Sequence, residues 1–137
     1  MQRQMTAEEL DHFYRRIGAA LWHIQYLEDV LVSFLVAVLV DQRRLSGDTI
    51  TETDADALLA RKRRVTLGPL IQECIAQKII PLSLQARFEI FKDDRHWLVH
   101  RSLVESGDEL YTDLTRDAVF RRMVTIQQEA IALKNIS

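Results

Sequence analysis

Arg95, His96 and His100 stand close together in Phe91-Lys92-Asp93-Asp94-Arg95-His96-Trp97-Leu98-Val99-His100-Arg101 and are the residues of this chain best suited to chemistry. An imidazole with a pKa near ~6.5 both takes and gives a proton close to neutral pH, which suits general acid–base work. A guanidinium presents a planar fork that fits phosphate oxygens. On a helical wheel Leu84, Phe88, Phe91, Leu98, Val99 and Leu103 share one broad face, and Arg95 projects from the middle of it. A guanidinium left there without partners is costly, so Arg95 must meet either a ligand or a carboxylate such as Glu28, Asp29 or Glu73 on a neighbouring helix. His96 and His100 lie on adjacent turns of one flank, whereas Arg95 and His100 are five apart, about 140° round an ideal helix. The long Arg side chain must therefore curl to meet a group that His100 also touches.

Helices must position these groups. Thr6-Ala7-Glu8-Glu9 has the spacing of a capping box, and apolar residues then recur at intervals of mostly three and four from Leu10 to Val38 with no proline between. A long first helix to Val40 or slightly beyond is expected. From Val30 to Val40 nearly every residue is apolar, which predicts enclosure on more than one side, by the bundle and by a second subunit. Residues 41–53 read as a loop, Asp54 as the cap of a short helix, and Thr66 as a second start leading into Leu70, Ile71 and Cys74. Pro81 introduces a third major helix that runs to about Val99 or Leu103. Ser106-Gly107-Asp108 forms a turn, and from Thr115 the spacing of Val119, Met123, Ile126, Ala130 and Leu133 gives a final amphipathic helix. The expected architecture is all-α: a single domain over residues 1–137, built as a four- to five-helix up-down bundle.

Composition agrees. Of 137 residues 47% are hydrophobic and 28% charged, while four Gly and two Pro are too few for a turn-rich fold. A net charge of -2 excludes a protein that coats nucleic acid through bulk charge. The basic set is nonetheless 14 Arg to 4 Lys, which keeps local phosphate binding open beside ordinary surface ion pairing. The single Cys74 offers no intramolecular disulfide and sits in an apolar helical pattern. The apolar run Val30 to Val40 is shorter than the roughly 20 residues of a membrane span, and the N-terminus lacks a signal-like apolar stretch, so a cytoplasmic protein without membrane contact is expected.

The segment from Arg95 to His100 resembles the R-x4-6-H signature of HEPN domains, with Arg95 as the Arg, His100 as the His and His96 at the position after the Arg that is typically polar. The setting, a late helix behind a long first helix, is similar as well. The resemblance implies a metal-independent endoribonuclease without a cofactor, of the kind found among toxins and phage-defence effectors, which acts on RNA as a homodimer that brings two motifs into one cleft. It implies that Arg95 holds phosphate, that His100 moves protons as the 2'-hydroxyl attacks, that His96 orients the phosphate, and that Asp93 or Asp94 positions an imidazole or the Arg. Two Arg95 side chains facing each other near a two-fold axis would then repel when empty, and Arg95→Ala would leave stability unchanged or raise it. In a subset of the family held by a nucleotidyltransferase antitoxin, a modified tyrosine stands two residues beyond the His; here that position is Ser102, so a cognate antitoxin protein would act by another route. Some members of the family only bind, which leaves a non-catalytic HEPN-like binding module, an immunity or antitoxin-like protein, as the alternative.

Three further patterns carry weaker expectations. Arg61-Lys62-Arg63-Arg64, with Arg101, could grip an RNA backbone, although such a run is more often a solvated helix end. Glu9-x-x-His12 and Asp93-x-x-His96 with Glu28 and Glu73 have the spacing of a di-metal bundle, but Asp replaces the usual Glu in the second pair. Trp22 and His23 border the apolar stripe of the first helix, where core packing is expected over base stacking.

Overall fold

A computed structural model describes residues 6–101 and 113–136, with the backbone alone at 100, 101 and 113–115. Leu103, Ser102 and the expected turn at Ser106-Gly107-Asp108 lie outside the described residues, as do the side chains of His100 and Arg101. Among the described residues there is no strand. The chain is an all-α bundle, with five α-helices among the described residues: α1 (Ala7–Leu45), α2 (Glu52–Arg63), α3 (Leu67–Ala76), α4 (Gln85–His96) and α5 (Asp113–Ile136).

Helix α1 starts where its capping box predicts: the Thr6 hydroxyl accepts from the Glu9 N–H at 3.1 Å and the Glu9 carboxylate accepts from the Thr6 N–H at 3.0 Å. It continues five residues past Val40, because Asp41 to Leu45 is free of Gly and Pro and ends in Arg43 and Arg44, which complement the negative end of the helix dipole. Gly47, at φ 91°, supplies the left-handed turn that stops it. The second start is corrected by three residues. Thr51, not Asp54, is the cap, and Asp54 is the third helical residue of a reciprocal capping box with it.

The third major helix is also divided. Pro81 leads into a 3-10 turn, Leu82–Leu84, then α4, and the segment Trp97–Arg101 winds as a π-helix.

The contacts fix an up-down order. Arg63 at the end of α2 returns to Asp29, so α2 descends along α1. Helix α3 rises again: Cys74 lies against Leu31, and the Gln42 side-chain amide N–H donates to Gln77 Oε1 at 2.6 Å. Helix α4 descends against α5, with Arg87 meeting Glu129 and Asp94 meeting Arg122. Helix α5 ascends beside the first half of α1, from Glu9 paired with Arg116 to Tyr26 beneath Lys134.

One core joins all five, with Leu27, Leu31 and Leu35 of α1, Ile71 of α3, Phe88 and Phe91 of α4, and Met123 and Ile126 of α5 fully buried. By length and composition α1 could cross a bilayer, a property that the uncharged run alone does not reveal because Glu28 and Asp29 interrupt the apolar sequence. The side chains that make it apolar, Leu27, Leu31, Leu35 and Val40 among them, are packed inside the bundle.

Candidate functional site

Arg95 points into the protein. Its Nε donates to Glu28 Oε1 on α1 at 2.8 Å, and the two side chains are 31% and 25% exposed. Of the three carboxylates that could take it, Glu28 is the one that does, since Asp29 pairs with Arg63 at 3.3 Å and Glu73 with Lys62 at 2.7 Å. The reason is azimuth. Arg95 lies between Phe88 and Phe91 on the inner face of α4, and both rings are fully buried, so the guanidinium has only the flank of α1 to reach.

The basic run reaches the same neighbourhood from the other side. Arg61 to Arg64 form the C-terminal turn of α2, where their charge complements the dipole. Arg61 and Arg64 are exposed, Lys62 is half-buried on Glu73, and Arg63 is held by Asp29. Adjacent residues of α1, Glu28 and Asp29, therefore hold Arg95 and Arg63. A cleft of about 230 Å³ opens there, lined by Gln25, Glu28, Asp29, Arg63 and Leu70.

Beyond Arg95 the backbone changes winding. The π-segment Trp97–Arg101 closes hydrogen bonds between residues five apart, and its wider turn carries position 100 back toward the azimuth of position 95. Trp97 anchors the segment. It is buried beneath the Arg122 guanidinium, 3.7 Å from its ring centroid, and Arg122 also reaches Asp94 at 3.6 Å. Asp94 thus serves Arg122 rather than Arg95, while Asp93 and His96 lie exposed on the outer side of α4. Arg122 was not singled out from the sequence, where it reads as one more charge beside Met123 on an amphipathic helix; only the register of α5 against α4 sets it over Trp97.

Several expectations change. The di-metal constellation is dispersed, with Glu9 on Arg116, Glu28 on Arg95 and Glu73 on Lys62, so each carboxylate is taken by a different cation. Among the described residues no group of His, Cys, Asp and Glu is arranged to hold a metal. Trp22 is not in the core; it is 59% exposed and stacks on Tyr26 on the outer face of α1. Within the single subunit the run Val30 to Val40 buries Leu31, Val32, Leu35, Val36 and Val40 against the bundle, while Phe34 and Ala37 face outward.

Within its own subunit Arg95 is turned onto Glu28. Its removal strands a carboxylate, so the expected gain in stability reverses sign. Cys74 is buried and its thiol is pushed up to about 11, by burial first and by Glu73 second.

No family model matches the chain, and no characterised protein or solved structure matches it.

Proposed function

We propose that this protein is a metal-independent endoribonuclease of the HEPN type, a toxin or defence effector, in which Arg95 binds the scissile phosphate and His100 transfers the proton. The observation that carries this reading is the convergence of the motif Arg and the basic turn of α2 on adjacent carboxylates, with Arg95 on Glu28 and Arg63 on Asp29, where Glu28, Asp29 and Arg63 line one cleft. A phosphodiester replaces a carboxylate at a guanidinium with little change in geometry, because both offer two oxygens to the same fork. Glu28 and Asp29 then act as stand-ins that keep the two guanidinium groups extended and satisfied until RNA arrives. The π-turn after Arg95 supports the same reading, since it reduces the angle that separates positions 95 and 100 in an α-helix. His100 would accept the 2'-hydroxyl proton and return one to the leaving 5'-oxygen, with His96 as a further donor to the phosphate.

A second reading is favoured by the Glu28–Arg95 pair itself. An arginine satisfied by a carboxylate within its own subunit needs no RNA, and the domain would then be a binding module of the immunity or antitoxin-like kind.

Cleavage of single-stranded RNA in excess EDTA separates the two. The ribonuclease reading expects wild-type cleavage, resistance of the matching DNA, and a loss of about 10² to 10⁴ in rate for His100→Ala with helicity unchanged. Arg95→Met should abolish cleavage, and growth arrest on expression in bacteria should disappear with either change. RNA left intact by the wild type, with no effect on growth, transfers the assignment to the binding module.

A further inference from the structure

A cleft of about 530 Å³ lies between the first half of α1 and α5, with His12 and Arg16 on one side and Asp117, Phe120, Arg121 and Val124 on the other. Along α5 it runs from Asp117 to Gln128, about 17 Å at 1.5 Å per residue. It shares no lining residue with the cleft beside Glu28 and Asp29. Glu9 pairs with Arg116, and α1 and α5 run in the same direction from there. In that register Arg121 falls between the levels of His12 and Arg16, so two guanidinium groups line one cleft from opposite walls.

These two arginines differ from their neighbours. Arg15, Arg63, Arg87, Arg95, Arg116 and Arg122 each meet a carboxylate. Among the described residues Arg16 and Arg121 meet none. Arg16 donates from Nε to His12 Nε2 at 3.5 Å, a neutral acceptor that leaves its charge uncompensated. Arg121 follows Asp117 by four residues, the order that favours an ion pair along a helix, and makes no such pair. Phe120 forms a fixed wall beside them. Its ring stands edge-on to His12, with centroids 4.9 Å apart at 78°, and tilts against Phe13 at 6.1 Å, while its half-buried side chain keeps part of its surface in the cleft next to Val124.

We infer that this cleft binds a nucleotide, with the phosphate between Arg16 and Arg121 and the planar base against Phe120 and Val124. A phosphate accepts from two planar guanidinium forks at once, and each fork here is without a competing carboxylate. A base adds a flat apolar face that an aromatic wall held in place favours. Asp117, the one carboxylate among the lining residues, opposes a ligand that is charge alone and can accept from an amino group of a base, which selects a nucleotide over a bare anion. The volume falls within the roughly 300–1,000 Å³ of small-ligand sites. The same chemistry arrives either as a free nucleoside monophosphate or as one nucleotide of a single strand. The inference is independent of the ribonuclease reading, because the cleft uses neither Arg95 nor His100.

Amide NMR titrations of the full chain test it, with 5'-AMP, adenosine, inorganic phosphate and a 2'-O-methyl oligo(A) of about ten nucleotides that offers no hydroxyl for cleavage. The wild type should bind 5'-AMP with a dissociation constant of about 0.1–1 mM, and adenosine and phosphate, each half of the ligand, at least about 5-fold more weakly. The shifts should centre on His12, Arg16, Phe120 and Arg121. Arg16→Ser and Arg121→Ser should each weaken 5'-AMP at least about 5-fold with helicity unchanged by circular dichroism, whereas Arg43→Ser at the far end of α1 should not. Phe120→Leu should weaken 5'-AMP and leave phosphate as before. An oligo(A) bound more than about 10-fold tighter than 5'-AMP on the same residues identifies a strand as the source, and equal affinity identifies the free nucleotide. Phosphate bound as tightly as 5'-AMP overturns the inference, as does the absence of any shift at about 5 mM 5'-AMP or shifts confined to Gln25, Glu28, Asp29 and Arg63. No arm reads cleavage, so RNA left intact by the wild type removes the ribonuclease reading without touching this one.

Discussion

The ion pair between Arg95 and Glu28 makes the most decisive single perturbation. Arg95→Met keeps an aliphatic stem on the face that Arg95 shares with Phe88 and Phe91 and removes only the guanidinium, leaving Glu28 without its partner. Fully exposed pairs contribute about 0.2–1 kcal/mol, and removing one partner of a buried pair costs about 3–5 kcal/mol. With side chains 31% and 25% exposed, this pair falls between the limits. A cost of about 1.5 kcal/mol is expected for Arg95→Met and about 1 kcal/mol for Glu28→Gln, with a double variant about 1 kcal/mol more stable than their sum. An unfolding entropy of about 2.1 cal/mol/K per residue gives about 0.29 kcal/mol/K for 137 residues, so Arg95→Met should lower Tm by about 5 °C. Thermal melts of the wild type, the two single variants and the double variant measure all four corners of the cycle. Additivity within about 0.3 kcal/mol would refute the pair as the partner that holds Arg95 in the fold. The same variants carry a functional arm: Glu28→Gln should strengthen RNA binding by removing the competing anion, whereas Arg95→Met should weaken it.

Two further outcomes follow from perturbed titrations. With the Cys74 thiol pushed up to about 11, its thiolate fraction at pH 8 is about 100-fold below that of an ordinary thiol, so alkylation in the native protein should be slower by at least that factor than in denaturant. Equal rates would show that the α1–α3 packing opens freely. The Thr51 backbone N–H, and then its hydroxyl, hold the Asp54 carboxyl below the usual carboxylate range. A carboxyl lowered in the folded state contributes stability above its unfolded pKa of about 4 and loses it as pH falls through the lower folded value. Wild type should thus melt above Asp54→Asn at pH 7, and the difference should vanish in acid; a gap independent of pH would assign the effect to something other than the charge.

Much of the architecture was legible because it is local. The Thr6 box, the 3.6-residue period from Leu10 to Val38 and the break at Pro81 each act within a few residues, so the sequence displays them directly. Thr51 was missed in favour of Asp54 because both are good caps three residues apart, and the reciprocal box uses both. The π-segment was not legible, since nothing in Trp97-Leu98-Val99 breaks an α-helix; its position coincides with the packing of Trp97 beneath Arg122 of another helix. Trp22 was read inward from its place beside an apolar stripe, and the wheel alone could not tell that α5 and α2 would leave that side of α1 open.

At the candidate site the sequence determined that Arg95 could not stand alone. An arginine between Phe88 and Phe91 on an amphipathic helix requires an anion, whatever the fold. Which anion was a tertiary decision. Glu28, Asp29 and Glu73 were equivalent as letters, and the descent of α2 took Asp29 for Arg63 and Glu73 for Lys62, leaving Glu28 for Arg95. Periodicity and capping are encoded in neighbouring residues, whereas the pairing of side chains 67 residues apart depends on helix register and on competition among charges that only the packed bundle brings within reach.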